Sequence, residues 1–178
     1  NGGDGFGAAR WLQNYGARVR VFVVGKALEA VTGDAAAELA MLQKTDAKVE
    51  AIAGEDDWVV AELAAAKADI LVDALAGTGF HGEPEGDLLR ACRLMNDSEK
   101  YIVAVDVPTG VNADNGAVAE NAVRADKTVT MALLKTGLLL YPGREYCGDI
   151  ELADIGMPAK MVEECASKKY RLTDDIVP

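Results

Sequence analysis

The stretch Tyr101-Ile102-Val103-Ala104-Val105-Asp106-Val107-Pro108-Thr109-Gly110 decides how the chain is read. Its first five residues form a short, nearly unbroken apolar run rich in β-branched side chains, the pattern of a strand buried on both faces. The run stops on an acid, Asp106, followed by a turn stiffened by Pro108 and carrying the hydroxyl of Thr109. Strands of the same kind recur upstream, at 70–72, 48–52 and 19–24, each separated from the next by a helical pattern. Leu88, Leu89, Cys92 and Met95 mark one helix after the glycine-rich segment 77–86. Asp56 or Asp57 precedes another, which carries Val59, Val60 and Leu63, and Asp34 caps a third, with Ala35, Leu39 and Leu42 on one face. A first helix, marked by Phe6, Ala9 and Leu12, stops near Gly16. Alternation at short loop lengths predicts an α/β fold, a mostly parallel central sheet covered on both faces by right-handed crossovers. Beyond Pro108 the pattern changes: 128–132 and 149–152 read as strands with no full helix between them, and a last helix covers roughly 158–167.

The 178 residues, half of them apolar, suffice for one well-packed domain. A net charge of −11 speaks against a general binder of nucleic acid or anionic membranes. No apolar stretch reaches transmembrane length, since the run around 128–141 is broken by Lys135. The three cysteines, Cys92, Cys147 and Cys165, are widely spaced and predict neither a disulfide framework nor a zinc site, so a reducing, cytoplasmic setting is expected. The single histidine, His81, stands near no serine in a nucleophile-elbow context. The chain opens without a methionine or a strand before its glycines, which predicts a longer natural polypeptide with a strand preceding Asn1.

Ligands of open α/β sheets sit outside the carboxyl ends of the strands, and three loops with unusual chemistry are placed there. The first is Asn1-Gly2-Gly3-Asp4-Gly5, read either as a helix cap or as a glycine loop that lets backbone amides approach a ligand. The second is Asp73-Ala74-Leu75-Ala76-Gly77-Thr78-Gly79-Phe80-His81-Gly82-Glu83, an acid at the end of a strand followed by a turn able to lay N–H groups against a substrate. The third is the Asp106 turn. Strand-end acids can equally be structural, binding loop amides, and His81 reads most simply as a solvated side chain. Asn1, Asp73 and Thr109 offer an amide, a carboxylate and a hydroxyl, a set of oxygen donors suited to a hard cation, with one carboxylate pointing to a monovalent ion. Asp106 is then left to act on substrate. Lys135 is either a surface residue or a phosphate contact.

The motifs NGGDG (1–5), DALAGTGF (73–80), VAVDVPTGVNADNG (103–116), ADKTVTMALLKTGLLLYPG (125–143) and DIGMP (154–158) occur in one order along essentially the whole chain. Together they resemble the NAD(P)H-hydrate epimerase family, also found as the amino-terminal domain of bifunctional NAD(P)H-hydrate repair enzymes. The resemblance implies a Rossmann-like three-layer αβα sandwich that interconverts the R and S epimers of the hydrated cofactors NADHX and NADPHX, a homodimer, and a bound potassium ion. It places Asn1, Asp73 and Thr109 as potassium ligands. Asn1, Gly2, Gly3, Asp4, Gly77, Thr78, Gly79, Phe80, His81, Gly82, Glu83 and Asp106 become substrate-binding positions. Thr109 stands where the family usually has serine, and Ala76 where a larger apolar residue is common. The family's usual residues before Asn1 lie outside this chain, so residues 1–178 are expected to be an epimerase domain short of its amino-terminal part. The ending 170–178 resembles the junction to a dehydratase domain.

The expected chemistry can be stated from the substrate. The hydrated ring bears a hydroxyl on a carbon next to nitrogen; its loss leaves a nitrogen-stabilised cation, and water returning on the other face inverts the centre. The step needs a proton donor and acceptor and a negative charge near the cation, and Asp106 can supply both in principle. The rival is a scaffold of the same fold that has lost activity. A plain dehydrogenase is disfavoured by the lack of a G-x-G-x-x-G motif with an acid about twenty residues on.

Overall fold

Each strand run predicted from sequence becomes a strand, and each pairs in parallel because a helix or an irregular crossover returns the chain to the same end of the sheet. The computed structural model describes residues 2–164. Its elements are α1 (Gly2–Asn14), β1 (Arg20–Val23), α2 (Asp34–Leu42), β2 (Lys48–Ala51), α3 (Glu55–Lys67), β3 (Ile70–Asp73), α4 (Gly86–Asp97), β4 (Tyr101–Val105), β5 (Lys127–Met131), β6 (Asp149–Ala153) and α5 (Ala159–Glu164). β1 pairs with β2, while β3, β4, β5 and β6 form a second sheet in chain order, every pairing parallel. The register sets Asp73 beside Ala104, so the acids that end β3 and follow β4 emerge at one edge.

The layers can be read from the alternation along β1. Val21 and Val23 pack with Phe6, Ala9, Leu39 and Leu42 of α1 and α2. Phe22 and Val24, on the opposite face, pack with Trp58, Ala61 and Ala91 of α3 and α4. A strand covered on both sides by helices is the middle of three layers. β4 continues this arrangement, with Ile102 and Ala104 buried against Cys92 of α4. Leu42 is wholly buried, and a fully buried leucine contributes on the order of 2 kcal/mol through removal from water.

Several local expectations are corrected. Gly2 to Gly5 do not form a loop feeding a helix; they are the first turn and more of α1. The reason is packing: a Cβ on Gly5 would stand 2.6 Å from the Ala74 Cβ, and one on Gly3 would stand 3.3 Å from the Ala35 Cα. The glycines allow α1 to lie against the exit of β3 and against α2, which outweighs their poor helix propensity of about 1 kcal/mol each. Asp34 is not the cap of α2 but its first residue, with Gly33 at the N-cap. Asp56 and Asp57 lie inside α3, where Asp57 Oδ2 accepts from the N–H groups of Ala53 and Gly54 and so caps from within the first turn. α3 also buries Trp58, Ala61 and Ala65 and turns Val59, Val60 and Leu63 outward. The single expected sheet is divided, since β1 and β3 share no hydrogen-bonded pairing. Asn1, Cys165 and the ending 170–178 lie outside the described residues, and the last helix is described only to Glu164.

Candidate active site at the carboxyl edge of the sheet

Asp73 is completely buried at the end of β3, and its partners come from the turn after β4. Its Oδ2 accepts from the Thr109 N–H at 2.7 Å; its Oδ1 accepts from the Thr109 hydroxyl at 2.7 Å and from the Leu75 N–H at 3.2 Å. The Thr109 oxygen in turn accepts from the Ala76 N–H at 3.1 Å. Burial pushes the Asp73 carboxyl above its ordinary range, and the hydrogen bonds from Thr109 and Leu75 offset part of that rise. No cation pairs with Asp73 among the described residues. Asp73 and Thr109, predicted together from sequence, thus meet in one polar cluster, and the Gly5–Ala74 approach brings α1 to the same place.

Asp106 occupies a separate but adjacent position. Its backbone sits at φ +70°, a left-handed conformation that costs a non-glycine residue about 1 kcal/mol or more and is held here by the Asp106 N–H bonding to the Val129 carbonyl at 2.8 Å. The strained turn leaves the side chain buried and directed at β5. Its Oδ1 accepts from the Thr130 hydroxyl at 3.2 Å and the Met131 N–H at 3.3 Å, and it forms an ion pair with Lys135. Lys135 Nζ also donates to the Met131 carbonyl at 2.8 Å. Thr130 and Lys135 therefore stand against Asp106; the sequence reading had left Lys135 open between a surface residue and a phosphate contact and had not singled out Thr130. The lysine, standing between two apolar runs, was the available signal.

The segment 77–83 forms an exposed turn, with the Phe80 N–H bonding to the Gly77 carbonyl at 3.0 Å and Gly82 at φ +97°. His81 Nδ1 and the Asn112 side-chain nitrogen lie 3.2 Å apart, and Glu83 Oε2 accepts from the Glu120 N–H at 2.9 Å. Phe80, His81, Gly82 and Glu83 line a cleft of about 160 Å³ with Gly110, Asn112 and residues 117–119, which ties the second predicted loop to the chain beyond the third. Thr78 and Gly79 are exposed on the same turn, and Gly2, Gly3 and Asp4 lie in the first turn of α1 with Asp4 exposed. Among the described residues no group of three or more His, Cys, Asp or Glu side chains is placed to hold a metal. A cation at Asp73 would accordingly rely on one carboxylate with neutral oxygen donors. No described helix is long and apolar enough to cross a membrane.

Residues 1–137 match the model of the family described as YjeF-related protein N-terminus. The chain is 41% identical over 162 residues to the bifunctional NAD(P)H-hydrate repair enzyme Nnr of Moorella thermoacetica, covering 91% of this chain and 30% of that one. It is 38% identical over 164 residues to the NAD(P)H-hydrate epimerase of Pirellula staleyi, covering 92% of this chain and 72% of its relative. The chain thus spans about a third of the length of the bifunctional relatives and most of the length of the epimerase. In fold it is similar to the crystal structure of yeast ynu0 (YNL200c), with a TM-score of 0.70 at 22% identity over 96% of this chain and 70% of the yeast chain. With the Asp73 and Asp106 turns meeting at one sheet edge, Gly5 of α1 approaching Ala74 there, and the family match running through all three motifs, the chain belongs to the YjeF-related protein N-terminus family.

Proposed function

We propose that this chain interconverts the R and S epimers of hydrated NADH and NADPH, NADHX and NADPHX. The observation that carries the reading is the pairing of two acids with different partners at one edge, Asp73 with Thr109 and Asp106 with Lys135, within a chain similar to proteins named NAD(P)H-hydrate epimerase. In this reading the cofactor lies across the carboxyl ends of the strands in a Rossmann-like manner. Gly2, Gly3 and Asp4 contact it from the start of α1, and Gly77 to Glu83 contact it from the exposed turn beside the 160 Å³ cleft. The hydrated ring is presented to Asp106.

The chemistry needs no redox change. The lone pair of the ring nitrogen helps expel the hydroxyl from the neighbouring carbon, leaving a nitrogen-stabilised cation. Asp106 holds a fixed negative charge beside it, in a buried setting where such a charge acts more strongly than in water. Water then adds to the opposite face. A proton must join the departing oxygen and leave the returning one.

A potassium ion fits the other acid. Asp73 is buried, pairs with no cation among the described residues and sits against a hydroxyl oxygen, so a weakly hydrated monovalent ion would offset its burial without requiring more carboxylates. Asp73 and Thr109 would hold it together with Asn1. Its contribution would be a fixed positive charge that organises the loops and attracts the cofactor's phosphates. The same reading gives a cytoplasmic homodimer. The test is to mix the purified protein with S- or R-NADHX and follow epimer exchange by chromatography. Exchange no faster than in buffer would refute the reading.

A further inference from the structure

The geometry points to Lys135 as the group that carries the proton in this reaction, with Asp106 acting as the fixed charge. The inference rests on the epimerase reading above and deepens it. Asp106 Oδ1 already receives Thr130 Oγ1, the Met131 N–H and Lys135 Nζ. Three donors saturate that oxygen and fix the carboxylate's orientation, which leaves Oδ2 alone open to a ligand and sets the Lys135 ammonium directly beside it. Lys135 is placed differently. Its ammonium has three N–H donors; one goes to Asp106 and one to the Met131 carbonyl, which leaves one without a protein acceptor among the described residues. Its side chain is 20% exposed, enough for that third donor to meet a ligand.

Charge favours the same assignment. An ammonium that stayed protonated would oppose the ring cation, because two like charges in a partly buried site are poorly screened from one another. If Lys135 instead gives its proton to the departing hydroxyl, the bookkeeping closes. The C–O bond breaks with its electron pair going to oxygen, and the Nζ proton joins that oxygen to make water. The ring becomes the cation, Lys135 becomes a neutral amine, and Asp106, now unpaired, faces the new positive charge. The returning water gives a proton back to Nζ as it adds, so no co-reactant is consumed.

The lysine is also held in place. The backbone reverses after β5 through Ala132 at φ +63°, with the Leu133 N–H bonding to the Met131 carbonyl at 2.8 Å. Two residues beyond Lys135, the Gly137 N–H bonds to the Ala113 carbonyl at 2.7 Å, and any Cβ on Gly137 would collide with the Asn112 carbonyl. Lys135 thus stands between two fixed points rather than on a free loop, as a proton carrier requires.

The test uses the intact protein with purified NADHX, with thermal unfolding as a control for folding. Lys135→Arg keeps the positive charge and the ion pair but cannot release a proton at neutral pH. It is expected to unfold near the wild-type temperature while losing epimer exchange by about a hundredfold or more. Lys135→Ala should lose as much and recover part of its rate on addition of methylammonium, but not of tetramethylammonium, which has charge and no proton. If Lys135→Arg keeps near wild-type turnover, or if tetramethylammonium rescues Lys135→Ala as well as methylammonium does, the lysine is an electrostatic partner and the proposal is overturned. A wild-type protein without exchange activity would overturn the epimerase reading and this proposal with it.

Discussion

Replacing Thr109 by valine separates the hydroxyl from everything else that residue does. The two side chains have nearly the same shape and Thr109 is 1% exposed, so no cavity opens and the loss is confined to the hydroxyl's bonds. One is the 2.7 Å donation to the buried Asp73 carboxylate; the other is acceptance from the Ala76 amide. A buried hydrogen bond to a charged group contributes about 1.5–3 kcal/mol, and the Thr109 N–H would still serve Oδ2. For a domain of this size each kcal/mol moves the melting temperature by roughly 2–4 °C, which predicts a fall of about 3–12 °C for Thr109→Val. Thr109→Ser removes one methyl group and keeps the hydroxyl, so it should cost about 1 kcal/mol. The second readout is the ion. Potassium at a hundred times its dissociation constant would add about 2.7 kcal/mol to the folded state, and Thr109→Val should lose most of that increment while Thr109→Ser keeps it. Calorimetric melts in potassium chloride and in choline chloride at equal ionic strength measure both effects. A valine variant that melts within a degree or two of wild type, or a serine variant that falls as far as valine, would refute the assigned role of the hydroxyl.

Asp106→Asn keeps size but removes the charge beside the ring cation, and epimer exchange should drop by about two to four orders of magnitude with little change in melting temperature; unchanged turnover would remove Asp106 from the chemistry. Gly5→Ala would set a methyl 2.6 Å from the Ala74 Cβ and push α1 away from the exit of β3, a strain of about 1–3 kcal/mol. Ala74→Gly in the same chain should restore most of that loss, and additive losses in the double variant would show that the contact is not the cause. Burial pushes the Cys92 thiol from 9.0 to about 12 and the Cys147 thiol to about 11. Both values are raised, so the stability these thiols contribute is complete below the ordinary thiol range and is lost as pH rises from about 9 towards those values. Iodoacetamide at pH 8 should therefore modify Cys92 and Cys147 only as fast as the protein opens, which peptide mass mapping during a denaturant titration would check.

The strands were legible because a β-branched run is a local property, and the acids Asp73 and Asp106 were legible because each stands at the end of such a run. Their partners divide by how far the chain travels before it returns. Thr109 could be joined to Asp73 because both belong to strand exits at a common edge. Lys135 could not be joined to Asp106, 29 residues earlier, because its return depends on an irregular crossover with no periodic signal. Thr130 looked like any strand threonine. The glycines of α1 misled because propensity argues for a loop, whereas the contact with Ala74 that explains them is made 69 residues away. In α3, apolar residues surround the helix, so the sequence did not say that Trp58 rather than Leu63 would face the core.

The crossover from β5 to β6 passes through two short 3-10 turns, Thr136–Leu138 and Gly143–Tyr146, and is held by close main-chain contacts as well as by the buried side chains of Leu138 and Cys147. The Gly143 N–H bonds to the Gly116 carbonyl at 2.9 Å, the Gly116 N–H to the Asn112 carbonyl at 2.9 Å, and a Cβ on Gly143 would lie 2.6 Å from the Gly137 carbonyl. Peptide groups bonded and stacked this closely cannot exchange their amide protons one at a time, because opening one carbonyl exposes its neighbours. The segment should therefore exchange hydrogen for deuterium with the slow, joint kinetics of a central strand. The site would then owe its rigidity to a stretch without an α-helix or a strand, and a single inserted residue there would be felt at Lys135 before it was felt anywhere in the sheet.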